Sequence, residues 1–122
     1  MIRILLAEDQ AMVRGALGAL LKLERDIEVL GAVADGLQAL SECRRLRPDI
    51  VVTDIEMPGM TGIELAQEVR KIRPDLPLLL TTGFMRAAEL ERIRAVGIAE
   101  YLEKPFTIER LAESLHRLFE KP

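Results

Sequence analysis

Short apolar runs that are almost free of charge recur along this chain and alternate with helical patterns. The run Ile4-Leu5-Leu6-Ala7 leads into Glu8, and the run Ile50-Val51-Val52-Thr53 leads into Asp54. A strand with few charges along its length is usually buried on both faces, as in a parallel sheet. The sequence therefore predicts an α/β fold built around a buried parallel sheet.

The alternation of strand and helix patterns occurs five times. Strands are predicted over 2–7, 28–34, 50–54, 78–82 and 100–103. Helices are predicted over 11–23, from a cap at Asp35 to around residue 47, from Thr61 to around residue 73, over 87–96 and after Thr107. Asp35 with Gln38, and Thr61 with Glu64, have the spacing of a capping box. Five βα units with short loops predict a doubly wound parallel sheet.

Charged residues follow three of the predicted strands at the point where each strand ends. They are the pair Glu8-Asp9, then Asp54, and finally Lys104 before Pro105. The carboxyl ends of parallel strands share one edge of the sheet, which is where ligands bind in open α/β folds. Clustered carboxylate oxygens suit Mg²⁺, and an ammonium suits a phosphate group. These residues are therefore expected to form one small site for both.

Length, net charge, cysteine content and hydropathy limit the kinds of protein that this chain can be. The chain has 122 residues, and the expectation is a single domain over 1–122 with no effector domain in this segment. The net charge of -3 argues against a nucleic-acid surface, and the lone Cys43 excludes an internal disulfide. A strand begins directly after Met1 and no apolar stretch is long enough for a membrane span. We expect a cytoplasmic protein without a membrane partner.

Five motifs occur in order at the predicted strand ends, namely Glu8-Asp9, Asp54 followed by Met57-Pro58-Gly59 and Gly62, Thr82-Gly83, Tyr101, and Lys104-Pro105. With this ordered set, the whole chain resembles one known family, the receiver domain of two-component response regulators. The resemblance implies a flavodoxin-like (βα)5 fold with strand order 2-1-3-4-5.

The resemblance implies a phosphorylation-dependent signalling switch. Asp54 would accept a phosphoryl group from a phosphohistidine on a sensor histidine kinase or a phosphotransfer protein. Asp9 and Asp54 would hold Mg²⁺, with Glu8 acting through a water and Glu56 through its main-chain carbonyl. The chemistry would be limited to gaining the phosphoryl group and losing it to water, so the chain would not be an enzyme in the ordinary sense.

The same resemblance implies roles for residues on the last two strands. Lys104 would pair with the phosphoryl oxygens, and with Asp54 before they arrive. Thr82 would donate its hydroxyl to those oxygens, and Tyr101 would turn inward when Thr82 moves. Pro105 would follow a cis peptide bond.

The two halves resemble different branches of the family. Up to around Leu65 the chain resembles receivers that precede a helix-turn-helix DNA-binding domain. From around Arg73 onward it resembles receivers attached to hybrid sensor kinases. A natural or engineered mosaic is one hypothesis that accounts for this.

The first predicted helix is more apolar than packing on a sheet requires. Its only charges are Arg14 and Lys22. They lie on one side of a helical wheel and leave an apolar arc wider than the roughly 100° stripe of a core-facing helix. The surplus is either a partner surface, which predicts a homodimer through this helix, or ordinary small exposed residues. Both interpretations stay open.

Two other functions use similar residues. A haloacid-dehalogenase-type phosphatase also has a strand-end Asp nucleophile and Mg²⁺, with a second acid two residues later that Glu56 would imitate. The chain has no room for a substrate cap, however, and Met57-Pro58 departs from that family's turn. A binding module that keeps the fold without phosphorylation is the third hypothesis, and the intact set of Asp9, Asp54, Thr82 and Lys104 argues against it.

Overall fold

Five strands alternate with five helices in the computed structural model, which describes residues 1–98 and 100–120. The elements in chain order are β1 Ile2–Ala7, α1 Ala11–Leu21, β2 Ile27–Val33, α2 Gly36–Leu46, β3 Ile50–Asp54, α3 Gly62–Ile72, β4 Leu78–Thr82, α4 Ala87–Val96, β5 Glu100–Glu103 and α5 Ile108–Glu120.

The five strands form one parallel sheet in the order β2-β1-β3-β4-β5. This confirms the predicted doubly wound, flavodoxin-like fold. The sheet's central strands β3 and β4 are buried along their whole length, as the charge-free runs predicted.

Helices cover both faces of the sheet. Side chains alternate along β1, so that Leu5 and Ala7 pack with α2, α3 and α4, while Ile4 and Leu6 pack with α1 and α5. Burial of a Leu or Ile side chain contributes about 1.5–3 kcal/mol, and each face contains many of them. The two apolar clusters hold the strands in a fixed register.

The predicted bounds of α1, β2 and α2 differ from the observed ones. Helix α1 ends at Leu21 rather than at Leu23, because Leu23 and Glu24 donate main-chain bonds three residues back and turn the chain towards β2. Strand β2 covers Ile27–Val33 rather than 28–34, since buried Ile27 pairs with Ile2 and Ala34 joins the cap of α2. Helix α2 ends at Leu46, and the next residue, Arg47, adopts the left-handed conformation at φ 51°.

The capping residues predicted from spacing lie at the helix starts. Thr61 and Glu64 form a complete capping box, with each side chain accepting a bond from the other residue's main-chain N–H. Asp35 accepts from the N–H of Gln38, but Gln38 accepts from Ala34 instead of Asp35. Thr107 caps α5 by accepting from the N–H of Arg110.

No helix within the described ranges is both long and apolar enough to cross a bilayer.

Replacing Thr61 with Ala should destabilise the domain by about 1 kcal/mol, because an N-cap hydroxyl is lost and an N–H of α3 loses its partner. Urea denaturation of the wild type and Thr61→Ala measures this difference. Thr61→Ser is the matched control and should retain nearly all of the stability. Equal midpoints for wild type and Thr61→Ala would mean that the box contributes nothing.

Candidate functional site

The register of the parallel strands aligns the functional residues at one edge of the sheet. Ala7 is level with Thr53, and Asp54 is level with Thr81. Thr82 is level with Glu103 on the outer strand. The residues that follow these positions therefore emerge side by side, as the sequence predicted.

Three carboxylates converge there. One oxygen from each of Glu8, Asp9 and Asp54 lies within 4.8 Å of the others. Glu8 and Asp54 are buried, being 1% and 6% exposed, whereas Asp9 is exposed. The cluster is therefore an acidic pocket in which two carboxylates are buried and the third is exposed.

The ammonium of Lys104 neutralises part of this charge. Its Nζ lies 3.1 Å from Glu8 Oε1 and 3.3 Å from Asp54 Oδ2. The pairing with Asp54 agrees with the sequence-based expectation, and the pairing with Glu8 was not anticipated. Two buried carboxylates side by side require such a cation, since unpaired buried charges cost several kcal/mol.

Burial sets the direction of the pKa changes in this pocket. It raises the pKa of Glu8, against the hydrogen bonds from the Gln10 N–H and from Lys104. It likewise raises the pKa of Asp54, and the charge of Lys104 opposes that rise. Burial acts to lower the pKa of Lys104, but the hydrogen bond to Glu8 and the two carboxylate charges outweigh it, so that this pKa is raised. The pocket thus favours an added cation.

The two oxygens of Asp54 have different surroundings. Oδ2 accepts from Lys104, whereas Oδ1 is buried without a hydrogen-bond partner among the residues that the structure describes. Both oxygens of Glu8 are already engaged, by Gln10 and by Lys104. Asp54 Oδ1 is therefore the buried oxygen of this cluster that is available to a cation.

Gly62 allows the helix after Asp54 to approach the strand end. Its N–H donates to the carbonyl of Ile55 at 2.8 Å. A Cβ at this position would lie 2.5 Å from the main-chain oxygen of Asp54, well inside contact distance. Only glycine fits here, which explains its place in the motif.

The hydroxyl of Thr82 is turned towards its own loop. It donates to the carbonyl of Phe84 at 3.0 Å and accepts from the N–H of Phe84 at 3.2 Å. Threonine hydroxyls often bond to nearby main-chain groups in this way. The sequence alone does not show which way such a hydroxyl points. Thr82 is buried, and its carbonyl accepts from the N–H of Lys104, which links β4 to the lysine.

The side chains of two further predicted residues, Tyr101 and Glu56, are exposed. Tyr101 lies on β5 and is 37% exposed. Glu56 lies in the loop after β3 with its side chain exposed. The Lys104–Pro105 peptide bond is cis, as the resemblance implied.

A second contact at the site, besides the pair of Lys104 with Glu8, was missed by sequence reasoning. Arg14 on α1 donates to the main-chain carbonyls of Glu8, at 2.8 Å, and of Asp9, at 3.4 Å. An arginine one turn into the helix after an acidic pair is the only sequence signal for this contact, and that signal is weak.

Comparisons with known proteins agree with this geometry. The protein-family model of the response regulator receiver domain matches residues 4–116 of this chain. The transcriptional regulatory protein DesR of Bacillus subtilis is 40% identical over 115 residues, which are 94% of this chain and 57% of the relative. The uncharacterized transcriptional regulatory protein YvfU of the same organism is 39% identical over 96% of this chain and 58% of its own length. The chain thus spans a little more than half the length of these curated relatives.

Solved structures show the same fold. A LuxR-family DNA-binding response regulator from Staphylococcus aureus superposes with a TM-score of 0.92 at 34% identity, over 98% of this chain and 100% of that one. The response regulator domain of Thermotoga maritima CheB gives a TM-score of 0.89 at 26% identity, over 100% of this chain and 98% of that one. The family match, these relatives and the strand-end pocket lead to one conclusion: this chain belongs to the response regulator receiver domain family of two-component signalling systems.

Proposed function

We propose that Asp54 is the phosphoacceptor of a signalling switch. The observation that carries the proposal is the buried Asp54 carboxylate at the end of the central strand, paired with Lys104 on one oxygen and unpartnered on the other within the described residues. Receiver domains work with histidine kinases or phosphotransfer proteins, and the donor here would be a phosphohistidine of such a partner. Membership of this family favours a switch over the phosphatase alternative.

The transfer is a displacement at phosphorus. A carboxylate oxygen of Asp54 forms a bond to phosphorus while the phosphorus–nitrogen bond of the donor histidine breaks, and the imidazole leaves with the bonding electron pair and takes up a proton. Loss of the signal is the attack of water on the same phosphorus, which yields inorganic phosphate and restores the carboxylate. Lys104 is placed to offset the charge on the phosphoryl oxygens in both steps.

Receiver domains bind Mg²⁺ at an acidic pocket, and the donor set here fits that ion. Its members are hard carboxylate oxygens, and one of them is buried without a partner in the part of the chain that the structure describes. We assign direct contact to Asp9, Asp54 and the main-chain carbonyl of Glu56, and a contact through water to Glu8, since both Glu8 oxygens are engaged by the protein. When bound, Mg²⁺ supplies positive charge that offsets the carboxylates and the incoming phosphoryl oxygens.

The switch itself involves Thr82 and Tyr101. To reach a phosphoryl group on Asp54, the Thr82 hydroxyl has to give up its two bonds to Phe84. That change frees the loop after β4 and lets the half-exposed Tyr101 turn inward. Phosphorylation would then favour a conformation with a different β4–β5 face.

Asp54→Asn should abolish acyl-phosphate formation, because an amide is not a nucleophile of comparable strength and cannot form the mixed anhydride. Intact mass after incubation with acetyl phosphate and Mg²⁺ measures the added phosphoryl group. Asp35→Asn is the matched control, because Asn caps a helix as well as Asp does. Undiminished labelling of Asp54→Asn would contradict the assignment.

Lys104→Ala should destabilise the metal-free domain and increase its Mg²⁺ affinity, because it unpairs two buried carboxylates and removes a competing cation. A unit-charge pair about 4 Å apart is worth ~1 kcal/mol even in water, so the affinity should rise about fivefold or more. Mg²⁺ titration followed by NMR chemical shifts measures it. Lys71→Ala removes a lysine from an exposed pair and should leave the affinity unchanged. Weaker Mg²⁺ binding by Lys104→Ala would refute the competition.

The apolar surface of α1 supports a proposed homodimer. Met12 and Leu20 are exposed on α1, and Phe119 is exposed on the neighbouring helix α5. Phosphorylation adds charge in the Asp54 pocket and not at these side chains, so it can tighten a dimer only by stabilising a conformation that associates better. The hypothesis that the second half of the chain derives from a different branch of the receiver family than the first half stays a prediction, although the relatives align over both halves.

Sedimentation with and without beryllium fluoride and Mg²⁺ should reveal a weak dimer that tightens in the presence of the phosphoryl mimic. Coupling of this kind is typically worth about 1–3 kcal/mol, or roughly 5–150-fold in affinity. Leu20→Gln should weaken association, whereas Leu37→Gln, at an exposed leucine on α2, should not. A monomer under both conditions at high concentration would leave the α1 surface as ordinary surface.

A further inference from the structure

The guanidinium of Arg14 connects helix α1 to the loop that carries the acidic pair. Its Nη1 lies 2.8 Å from the carbonyl oxygen of Glu8 and 3.4 Å from that of Asp9. Arg14 is half-buried, and its main-chain N–H donates to the carbonyl of Gln10 at 2.8 Å. Arg14 therefore bonds to the main-chain carbonyl of each residue, 8–10, between β1 and α1.

Helix capping does not fix this loop. Gln10 is the N-cap residue of α1 and makes no side-chain capping bond, and no acidic residue lies in the first turn. This differs from α2 and α3, whose N-caps Asp35 and Thr61 bond the helix directly. The bond from the Gln10 N–H to Glu8 Oε2 holds the peptide between Asp9 and Gln10, but the peptide between Glu8 and Asp9 needs another contact to orient it.

Arg14 provides that contact. The Glu8 N–H is bonded to the carbonyl of Val33, which fixes where the loop begins. The bond from Arg14 then fixes the Glu8 carbonyl and, with it, the peptide plane from which Asp9 departs. The Asp9 side chain is exposed, and no hydrogen bond holds it within the described residues, so that its direction depends on its main chain.

We propose that Arg14 is a positioning residue of the acidic site, which holds the main chain of Glu8 and Asp9 so that their carboxylates face Asp54 and bind Mg²⁺ together. The inference rests on the proposed metal-binding function. It concerns main-chain orientation and does not require Arg14 to contact the ion or the phosphoryl group.

The direction of the change in Mg²⁺ affinity when Arg14 is removed distinguishes a positioning role from a purely electrostatic one. If Arg14 acted only as a nearby cation, its removal would strengthen Mg²⁺ binding, as expected for Lys104. If Arg14 positions the carboxylates, its removal weakens binding although a repulsive charge has gone. Groups that hold metal ligands in place from outside typically change metal affinity about 10–100-fold when they are removed.

The experiment compares Mg²⁺ affinity in the absence of any phosphodonor, by NMR titration, for wild type, Arg14→Met, Arg14→Lys and Lys22→Met. Arg14→Met should bind about tenfold more weakly, at the lower end of that range because one exposed ligand is affected most. Arg14→Lys, which keeps the charge and one donor group, should recover part of the loss. Lys22→Met removes the other cation of the first-helix region, at the exposed C-cap of α1, and should bind like wild type.

The outcomes are distinguishable. Unchanged or tighter binding by Arg14→Met, with a folded protein, would overturn the positioning role. A lower thermal stability with unchanged affinity would mean that Arg14 is only structural, which also overturns it. If Arg14→Met does not fold, Arg14→Gln, which has a neutral donor of shorter reach, replaces it under the same criterion. Absence of Mg²⁺ binding by the wild type would instead refute the proposed function from which the inference starts.

Discussion

The bond of the Lys104 ammonium to both Glu8 and Asp54 allows two carboxylates to lie buried at the end of a hydrophobic sheet. Burial of an unpaired charge costs several kcal/mol, and a domain of this size has a total stability of only about 5–15 kcal/mol. The position of Lys104 is in turn fixed by β5, whose pairing with β4 continues into the bond from the Lys104 N–H to the Thr82 carbonyl. The outer strand β5 thus supplies the counter-charge for the carboxylates at the ends of β1 and β3.

The fold keeps this pocket at the edge of its rigid core. The apolar side chains of β1, β3 and β4 end with Ala7, Val52 and Leu80, and polar residues follow on each strand. In the proposed switch, the groups that change position lie in loops at that edge, above all the segment after Thr82. A fixed strand register beneath these loops suits the proposed site, where a small change in charge is converted into a change of conformation.

The contacts around this pocket orient its functional groups. Here the surroundings include Glu8 with both of its oxygens bonded, Thr82 bonded to the main chain of Phe84, and Arg14 on the carbonyls of the acidic loop. None of these contacts is itself a step of the proposed phosphoryl transfer. Each fixes the direction of a group that the proposed phosphoryl transfer uses, and orientation of this kind is a large part of what a protein adds to such a reaction.

Local features of the sequence determined the alternation of five strands and helices, the capping residues Asp35, Thr61 and Thr107, and the candidates at the strand ends. Periodicity and capping act between residues a few positions apart, so a single sequence contains them. The family resemblance added the strand order, which the structure confirmed, and the residue roles, which stay predictions.

Only the tertiary structure decided which of these groups meet and in which direction they point. Lys104 contacts Glu8 across 96 positions of sequence, and no local pattern encodes that distance. The direction of the Thr82 hydroxyl, the bond from Arg14 to the loop, and the ends of α1 and β2 likewise depend on where separate segments are held. These details follow from packing and register, which arise only when both faces of the sheet are covered.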